Sequence, residues 1–225
     1  MKILAVDTAL GACSVAVLDG EAVLAHRFEF MERGHAEALA PMVQASMREA
    51  DIRFGDLERL AVTTGPGTFT GQRVGMALMR GLRVALKLPL IGITTLEAMA
   101  RAAMKEAGAP LGAALHDAKR GEVYAALYMD DAALLEPLLL PLGDAVQSIW
   151  DSVGKRGEML GFAGTAASEA RERWMALGGT ADVTGIIAPD ALWVARIAAM
   201  TTPTGDAPRP LYLRPPDARL PVGPA

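Results

Sequence analysis

The sequence predicts an α/β protein made of two lobes, and three observations carry this prediction. Of the 225 residues, 52% are hydrophobic but only 5% are aromatic, which favours a core of aliphatic side chains packed between helices and sheets. Three short strands open the chain, and strands then alternate with amphipathic helices. A glycine-rich loop at residues 63–71, TTGPGTFTG, joins a buried strand to a helix.

The first lobe is predicted from the order of its elements. Strands at 3–7, 12–18 and 22–30 are joined by short links such as Asp19-Gly20, so they pair as antiparallel neighbours. Three antiparallel strands that lead into a helix and then into parallel crossovers form one repeat of the actin-like ATPase fold. The remaining elements of this lobe are a helix at 35–50, a strand at 60–63, a helix at 72–87, a strand at 90–93 and a helix at 96–107.

A second lobe begins the same pattern again in reduced form. Its predicted strands lie at 111–116, 122–129, 134–140 and 159–162, and its helices at 144–152, 165–177 and 190–200. We therefore predict an N-terminal lobe at 1–108, completed by residues 190–213, and a smaller lobe at 109–189. The proline-rich residues 214–225 are predicted to form a flexible tail.

Composition excludes several classes of function. A net charge of −4, with the 22 basic residues scattered, argues against a surface that binds nucleic acid by itself. No apolar run is long enough to span a membrane, and Lys2 leads straight into a strand, so we expect a cytoplasmic protein that binds no membrane. The single Cys13 excludes an internal disulfide.

The glycine-rich loop has two interpretations. Three glycines leave the backbone amides of the loop accessible just before a helix, where the helix dipole favours a phosphate. They are Gly65, Gly67 and Gly71. The loop lacks the lysine of a P-loop and does not match the dinucleotide-binding fingerprint. A purely structural turn is therefore as good an interpretation as an anion or nucleotide site.

Asp7 and Thr8 end the first strand and form the second candidate constellation. In this fold an Asp at that point can hold a metal-bound water, while a Thr hydroxyl approaches the phosphates. The alternative is an Asx-type turn that ends the strand. Three histidines are present, without the spacing of a metal pair, so no metal site and no catalytic residue are predicted; they are His26, His35 and His116.

The first two helices are rich in small residues and methionine. On the second helix Gly71, Gly75 and Ala77 alternate with Met76 and Met79, so apolar residues spread over more than one face. Such a helix is either buried in its own core or exposes a face that binds a partner.

Six segments resemble the TsaB family of bacterial proteins, which take part in the synthesis of threonylcarbamoyladenosine in tRNA. The glycine loop with its helix carries the most specific signature, GPG-T-FTG-x-R-x-G followed by TTLEA. In chain order the segments are MKILAVDTALGACSVAVL, GHAEALAPMV, TTGPGTFTGQRVGMALMRGL, LPLIGITTLEAMA, DAKRGEVYAALY and PLYLR.

The resemblance implies a two-lobed actin-like ATPase fold and a non-catalytic role. TsaB looks like a degenerate paralogue of TsaD, the subunit that transfers the threonylcarbamoyl group to adenosine 37 of tRNAs reading ANN codons, with the ATPase TsaE joining the complex. TsaD-like sequences carry a His-x-x-x-His metal pair after the glycine-rich helix. Thr95 and Met99 stand there in this chain, and a hydroxyl and a thioether are poor ligands for a catalytic ion.

The resemblance also implies partners and an interface. A TsaD-like subunit, or a second copy of this chain when it is alone, is expected to contact the first two helices, and tRNA is reached only through the complex. No tightly bound cofactor is expected, although ATP or ADP fits the complex interface. The implied interface residues are His35, Leu39, Met42, Val43, Gly75, Met76, Met79 and Arg83.

Two other functions remain open at this point. One is a free-standing kinase or acyltransferase of the same fold that uses Asp7 and the glycine loop. The other is a glycoprotease, which ranks last because the sequence offers neither a metal pair nor an activated nucleophile.

Overall fold

The computed structural model describes residues 1–214; the remainder of the predicted tail lies outside the described residues. The first sheet has five strands in the order β3-β2-β1-β4-β5. The first three strands are antiparallel, and β4 and β5 run parallel to β1. The strands are β1 (Lys2–Asp7), β2 (Ala12–Asp19), β3 (Ala22–Phe30), β4 (Arg59–Thr63) and β5 (Leu90–Ile93).

Threonine side chains cap two of the three helices of this lobe. The helices are α1 (His35–Glu49), α2 (Phe69–Leu86) and α3 (Thr95–Ala107). The hydroxyl of Thr68 accepts from the Gly71 amide at 3.1 Å, and so α2 begins three residues earlier than predicted. Thr94 caps α3 in the same way, and Gly108 ends it in a left-handed conformation.

The second sheet repeats the topology of the first, with the order β10-β9-β6-β7-β8. Its five strands match those of the first lobe one for one, while its helices are shorter. Strand β10, which the sequence did not predict, has only three residues. The elements are β6 (Leu111–Asp117), β7 (Glu122–Met129), β8 (Ala132–Pro141), α4 (Leu142–Val153), β9 (Leu160–Ala163), α5 (Ala167–Ala176), β10 (Ala181–Val183) and α6 (Ala191–Met200).

The two lobes exchange their last helices. Helix α6 follows the second sheet in sequence but packs on β1 and β2 of the first, through Val194, Ala195 and Ala198. Helix α3 follows the first sheet but packs on β6, β7 and β9 of the second. Buried apolar side chains of both lobes pack together in the interior between the lobes. Within residues 1–214, no helix is long and apolar enough to cross a membrane.

Residues 205–214, which we call the C-terminal strap, run along α2 and then reach the second lobe. Arg80 and Arg83 of α2 donate to the carbonyls of Pro208 and Gly205, and the Leu211 amide donates to the Thr64 carbonyl at 2.7 Å. Arg214 then pairs with Glu122 of β7 at 2.6 Å and donates to the Ala118 carbonyl. Arg214 is therefore held by the second lobe, which corrects its assignment to a flexible tail.

Candidate functional site

The predicted phosphate-site residues lie together where β1 ends and the glycine loop leads into α2. The amide of Thr68 in the loop donates to the Ala9 carbonyl at 2.8 Å, which holds the loop against the turn after Asp7. In this arrangement the first β-turn and the first crossover loop meet at one sheet edge, as parallel β1 and β4 require. The residues that the sequence predicted for this site therefore lie close together in the structure; they are Asp7, Thr8, Gly65, Gly67 and Gly71.

The side chain of Thr8 is hydrogen-bonded to two backbone groups of α2. Its hydroxyl donates to the Gly71 carbonyl at 2.6 Å and accepts from the Gly75 amide at 3.0 Å. These two groups belong to residues i and i−4, the pair that an α-helix itself brings together. The Thr8 side chain is 1% exposed, so its hydroxyl is committed to the protein and does not face a ligand.

The loop glycines are explained by close packing against the chain itself. A Cβ at Gly67 would collide with the Ala9 carbonyl, and one at Gly71 with the Thr8 carbonyl. Gly65 has φ +105°, and the Gln72 side chain fills the space a Cβ would need, at 2.6 Å. Close backbone approach is thus sufficient reason for these glycines, and the nucleotide interpretation of the loop stays a prediction.

Asp7 is fully buried at the end of β1. Its Oδ1 accepts from the Thr63 hydroxyl at 2.5 Å and from the Ala9 amide at 3.1 Å, while Oδ2 has no partner in residues 1–214. Burial raises the pKa of Asp7 to about 7, and the two hydrogen bonds only partly oppose this. The Asx-type contact to Ala9 matches the turn interpretation, and Asp7 is the one carboxylate of this cluster that could face a cation.

The three histidines lie apart and serve different contacts. Nε2 of His35 is hydrogen-bonded to the Leu10 carbonyl at 3.0 Å, and Nε2 of His26 to Oδ1 of Asp190 at 2.7 Å. Burial lowers the pKa of His116 to about 4. Across residues 1–214, no three His, Cys, Asp or Glu side chains are grouped so that they could hold a metal ion.

The interior between the lobes is filled by apolar side chains. Leu10 and Ala12 of the first lobe share one cluster with Ala114 and Ala163 of the second. Met99, at the second of the two positions where the resemblance places a histidine pair, lies in the same cluster and is 0% exposed. Thr95, four residues earlier on α3, is also fully buried.

Most of the predicted interface residues are buried, so that prediction needs correction. The predicted interface residues of α1 face the first sheet. On α2 the buried stripe includes Gly75, which lies beside Thr8. A residue packed in the core cannot offer its side chain to a partner. The residues corrected in this way are Leu39, Met42, Val43, Gly75, Met76 and Met79; His35 and Arg83 are half-buried and bonded to Leu10 and Gly205.

The same two helices nevertheless expose a different apolar surface. Val84 is 74% exposed, and Gly81, one turn before it, has open space around its α-carbon. We call these exposed positions the outward face of α1 and α2: Ala36, Ala40, Pro41, Ala77, Gly81, Val84 and Ala85.

Several residues at the site were not predicted from the sequence. Thr63 and Gln72 occupy ordinary positions in a strand and a helix, and only the fold brings them to Asp7 and Gly65. Tyr212 lies in the PLYLR segment, which carried resemblance but no assigned role. Its ring stacks with Phe69 at 6.0 Å between centroids, and its hydroxyl accepts from Arg73 at 3.0 Å.

The duplicated sheets with exchanged helices define the class of the protein, which is an actin-like ATPase fold. At 16% identity, ROK hexokinase from Thermus thermophilus shares this fold with a TM-score of 0.53, over 89% of this chain and 99% of that one. A structure described as YeaZ from Pseudomonas aeruginosa is 29% identical with a TM-score of 0.75, over 94% of this chain and 99% of that one.

Sequence comparisons define the family. A family model described as "TsaD: tRNA N6-adenosine threonylcarbamoyltransferase" matches residues 29–178. The protein named tRNA threonylcarbamoyladenosine biosynthesis protein TsaB in Escherichia coli is 44% identical over 131 residues, which are 58% of this chain and 56% of that protein. Its namesake in Bacillus subtilis is 32% identical, over 62% of this chain and 60% of that protein.

The chain belongs to the TsaB family, within the larger family that the TsaD model describes. The matched region spans between half and two thirds of each of these curated relatives.

Proposed function

We propose that this chain is a non-catalytic partner subunit of a tRNA N6-adenosine threonylcarbamoyltransferase. The proposal takes the reaction from the matching family model and from the names of the TsaB relatives. In this role the chain binds and activates a TsaD-like catalytic subunit, which performs the transfer.

The two hydrogen bonds of the Thr8 hydroxyl to α2 are the observation that supports a non-catalytic role. In an actin-like ATPase, this turn and loop are where phosphate groups are expected. Here the Thr8 hydroxyl is hydrogen-bonded to Gly71 and Gly75. Atoms of Ala9, Thr8 and Gln72 fill the space beside the loop glycines. The residues at Thr95 and Met99, with a hydroxyl and a thioether, add no good metal ligand.

The outward face of α1 and α2 supports a docking role. It consists of alanines, a proline, a glycine and an exposed valine, and small residues let another helix approach closely. Exposed apolar patches of this kind mark interfaces between proteins. We propose that a TsaD-like subunit docks there, and that a second copy of this chain takes its place when the chain is alone.

The remaining components follow from the same proposal. A TsaE-like ATPase joins the assembly in the cytoplasm, and ATP or ADP is bound between subunits and not tightly by this chain. Substrate tRNA is presented to the assembled complex.

Reconstitution tests the proposal. Unmodified tRNA, threonylcarbamoyl-adenylate and the TsaD-like and TsaE-like proteins are combined with and without this chain, and threonylcarbamoyladenosine is measured by nucleoside chromatography. We expect formation of the modified base to require this chain, while the chain alone turns over no ATP. Modification that proceeds equally well in its absence would contradict the proposal, and ATP turnover by the isolated chain would favour a free-standing kinase or acyltransferase.

A further inference from the structure

The side of α2 that faces the C-terminal strap carries an unusual concentration of positive charge. Arg73, Arg80 and Arg83 are spaced by seven and three residues, which places them on one side of the helix. Arg209 of the strap lines the same cavity, of about 600 Å³, as Arg80 and Arg83. We call these four residues the arginine cluster. The chain as a whole has a net charge of −4, so this local excess opposes the overall balance.

The arginine cluster is not neutralised by the described part of the chain. Arg27, Arg101 and Arg214 each pair with a carboxylate, whereas no carboxylate of residues 1–214 lies within ion-pair distance of the four clustered arginines. Arg80 and Arg83 donate to carbonyls of the strap, and Arg73 to the Tyr212 hydroxyl. These neutral acceptors fix the guanidinium groups in place but leave their charges uncompensated. Among the residues of 1–214 that line the cavity, Asp206 is the only acidic one.

An exposed pair of aromatic rings adjoins the cluster. Phe69 is 58% exposed and Tyr212 is 47% exposed, and their rings stack at an interplanar angle of 29°. The Arg73 guanidinium lies 3.5 Å from the centre of the Phe69 ring. Stacked aromatic rings beside arginines are the combination that proteins use to hold single-stranded nucleic acid, because bases stack on the rings and phosphates meet the guanidinium groups.

We infer that the arginine cluster and the Phe69–Tyr212 pair bind an RNA strand directly. The inference rests on the proposed function, since the substrate named by the matching family is a tRNA. It refines the expectation that tRNA is reached only through the complex, because it gives this subunit its own contact. The α2 residues involved span from Phe69 to Arg83, which is about 21 Å of helix and long enough for several phosphates.

An RNA strand fits this surface better than a protein does. Four positive charges demand four counter-charges, which every stretch of RNA supplies but a protein partner must provide by matched carboxylates. The outward face of α1 and α2, which we assign to a protein partner, adjoins the cluster, since Ala77 and Val84 lie one turn after Arg73 and Arg80 on α2. On this proposal RNA and the protein partner bind neighbouring surfaces of one helix, and Val84 lies where the two surfaces meet.

The test uses the assembled complex of this chain with a TsaD-like protein, and the probe is an unmodified tRNA transcript. Arg209→Glu is the first variant, because Arg209 is exposed and makes no hydrogen bond with the rest of residues 1–214. Lys155→Glu, an equal charge reversal at an exposed position of the second lobe, is the matched control. Phe69→Leu removes the stacking ring but keeps an apolar side chain. Thermal unfolding midpoints check that all variants fold.

We expect Arg209→Glu to weaken tRNA binding by about fivefold at 50 mM salt, the loss of roughly one phosphate contact. The slope of log affinity against log salt should fall by about 0.7–0.9. Phe69→Leu should weaken binding by about fivefold or more with the salt slope unchanged, since stacking is not ionic. Lys155→Glu should leave both quantities as they are.

Three outcomes separate the possibilities. Equal tRNA affinity for Arg209→Glu and Lys155→Glu would overturn the inference. Loss of the TsaD-like protein from the complex, with tRNA affinity retained, would also overturn it and assign the cluster to a protein partner. If the unaltered chain fails to assemble with the TsaD-like protein yet binds tRNA through these residues, the proposed function fails and the RNA contact stands.

Discussion

The amide of Gly75 donates a hydrogen bond to the hydroxyl of Thr8, 3.0 Å away. The same hydroxyl donates to the Gly71 carbonyl at 2.6 Å, so a side chain from the turn after β1 bonds to two backbone groups of α2. The turn after β1 and the helix after the glycine loop are thereby joined into one rigid unit.

Removing the Thr8 hydroxyl should destabilise the protein. Thr8→Val leaves the Gly71 carbonyl and the Gly75 amide buried with no side-chain partner, and we expect a loss of about 1–3 kcal/mol in the free energy of unfolding. Thr8→Ser keeps the hydroxyl and should cost only about 0.8 kcal/mol for the lost methyl group. Urea unfolding measures both values. Equal stability of the Val variant and the unaltered chain would show that these two backbone groups do not depend on Thr8.

Two glycines of α2 should respond in opposite ways to the same change. Gly71→Ala places a Cβ against the Thr8 carbonyl and the Thr68 hydroxyl, and we expect a loss of about 2–4 kcal/mol. Gly81→Ala meets open space on the outward face and should add about 0.5–1 kcal/mol through helix propensity. Thermal and urea unfolding of the pair check this. A stabilising Gly71→Ala would mean that the loop is not packed against β1.

The buried carboxyl of Asp7 should make stability depend on pH. Its pKa is raised to about 7 in the folded protein, from 3.8 for an ordinary Asp. The favourable contribution of the protonated form is therefore complete below about pH 4 and is lost as the pH rises through 7. A shift of roughly 3 units corresponds to a loss on the order of 4 kcal/mol.

Asp7→Asn isolates this effect. The amide keeps an acceptor for Thr63 and for the Ala9 amide but does not ionise. We expect the variant to be more stable than the unaltered chain at pH 8 and the two to converge near pH 4, as measured by urea unfolding across this range. Glu37→Gln, at an exposed carboxylate of α1, is the control and should show no such trend between pH 5.5 and 8. A difference for Asp7→Asn that stays constant with pH would contradict a buried, protonated Asp7.

The strand order of the first lobe follows from short-range signals, and these could be read from the sequence. Turn residues such as Gly20, which has φ +59°, mark the hairpins, and alternating apolar runs mark the strands. The second lobe was harder because β10 is only three residues long and α5 is polar on most of its surface. Only the pairing of the strands showed that the second lobe has as many strands as the first.

The faces of α2 could not be assigned from periodicity. The helix carries two apolar stripes, one with Met76 and Met79 against the sheet and one with Ala77 and Val84 toward the outside. A helical pattern shows that both stripes exist, but only the packing of α2 on β1 and β4 shows which is buried. For this reason most of the interface residues predicted from the sequence lie on the buried stripes.

Contacts made by irregular segments could not be predicted from the sequence either. The C-terminal strap has no hydrophobic period, and its position depends on arginine side chains that reach its carbonyls. Pairings such as Thr63 with Asp7 join residues 56 positions apart. Pairings of this kind are determined by the sheet register, which no local signal reports.

Docking through the outward face of α1 and α2 is the central claim, and Ala77→Glu tests it most directly. Ala77 is exposed, so a glutamate should leave the fold intact while placing a charge where a partner helix approaches. Ala176→Glu on the exposed surface of α5 is the matched control. The measurement is the fraction of a TsaD-like protein that co-purifies with each variant at equal concentration. We expect at least a tenfold loss of association, about 1.4 kcal/mol, for Ala77→Glu and none for Ala176→Glu; equal retention of the TsaD-like protein by both variants would contradict the claim.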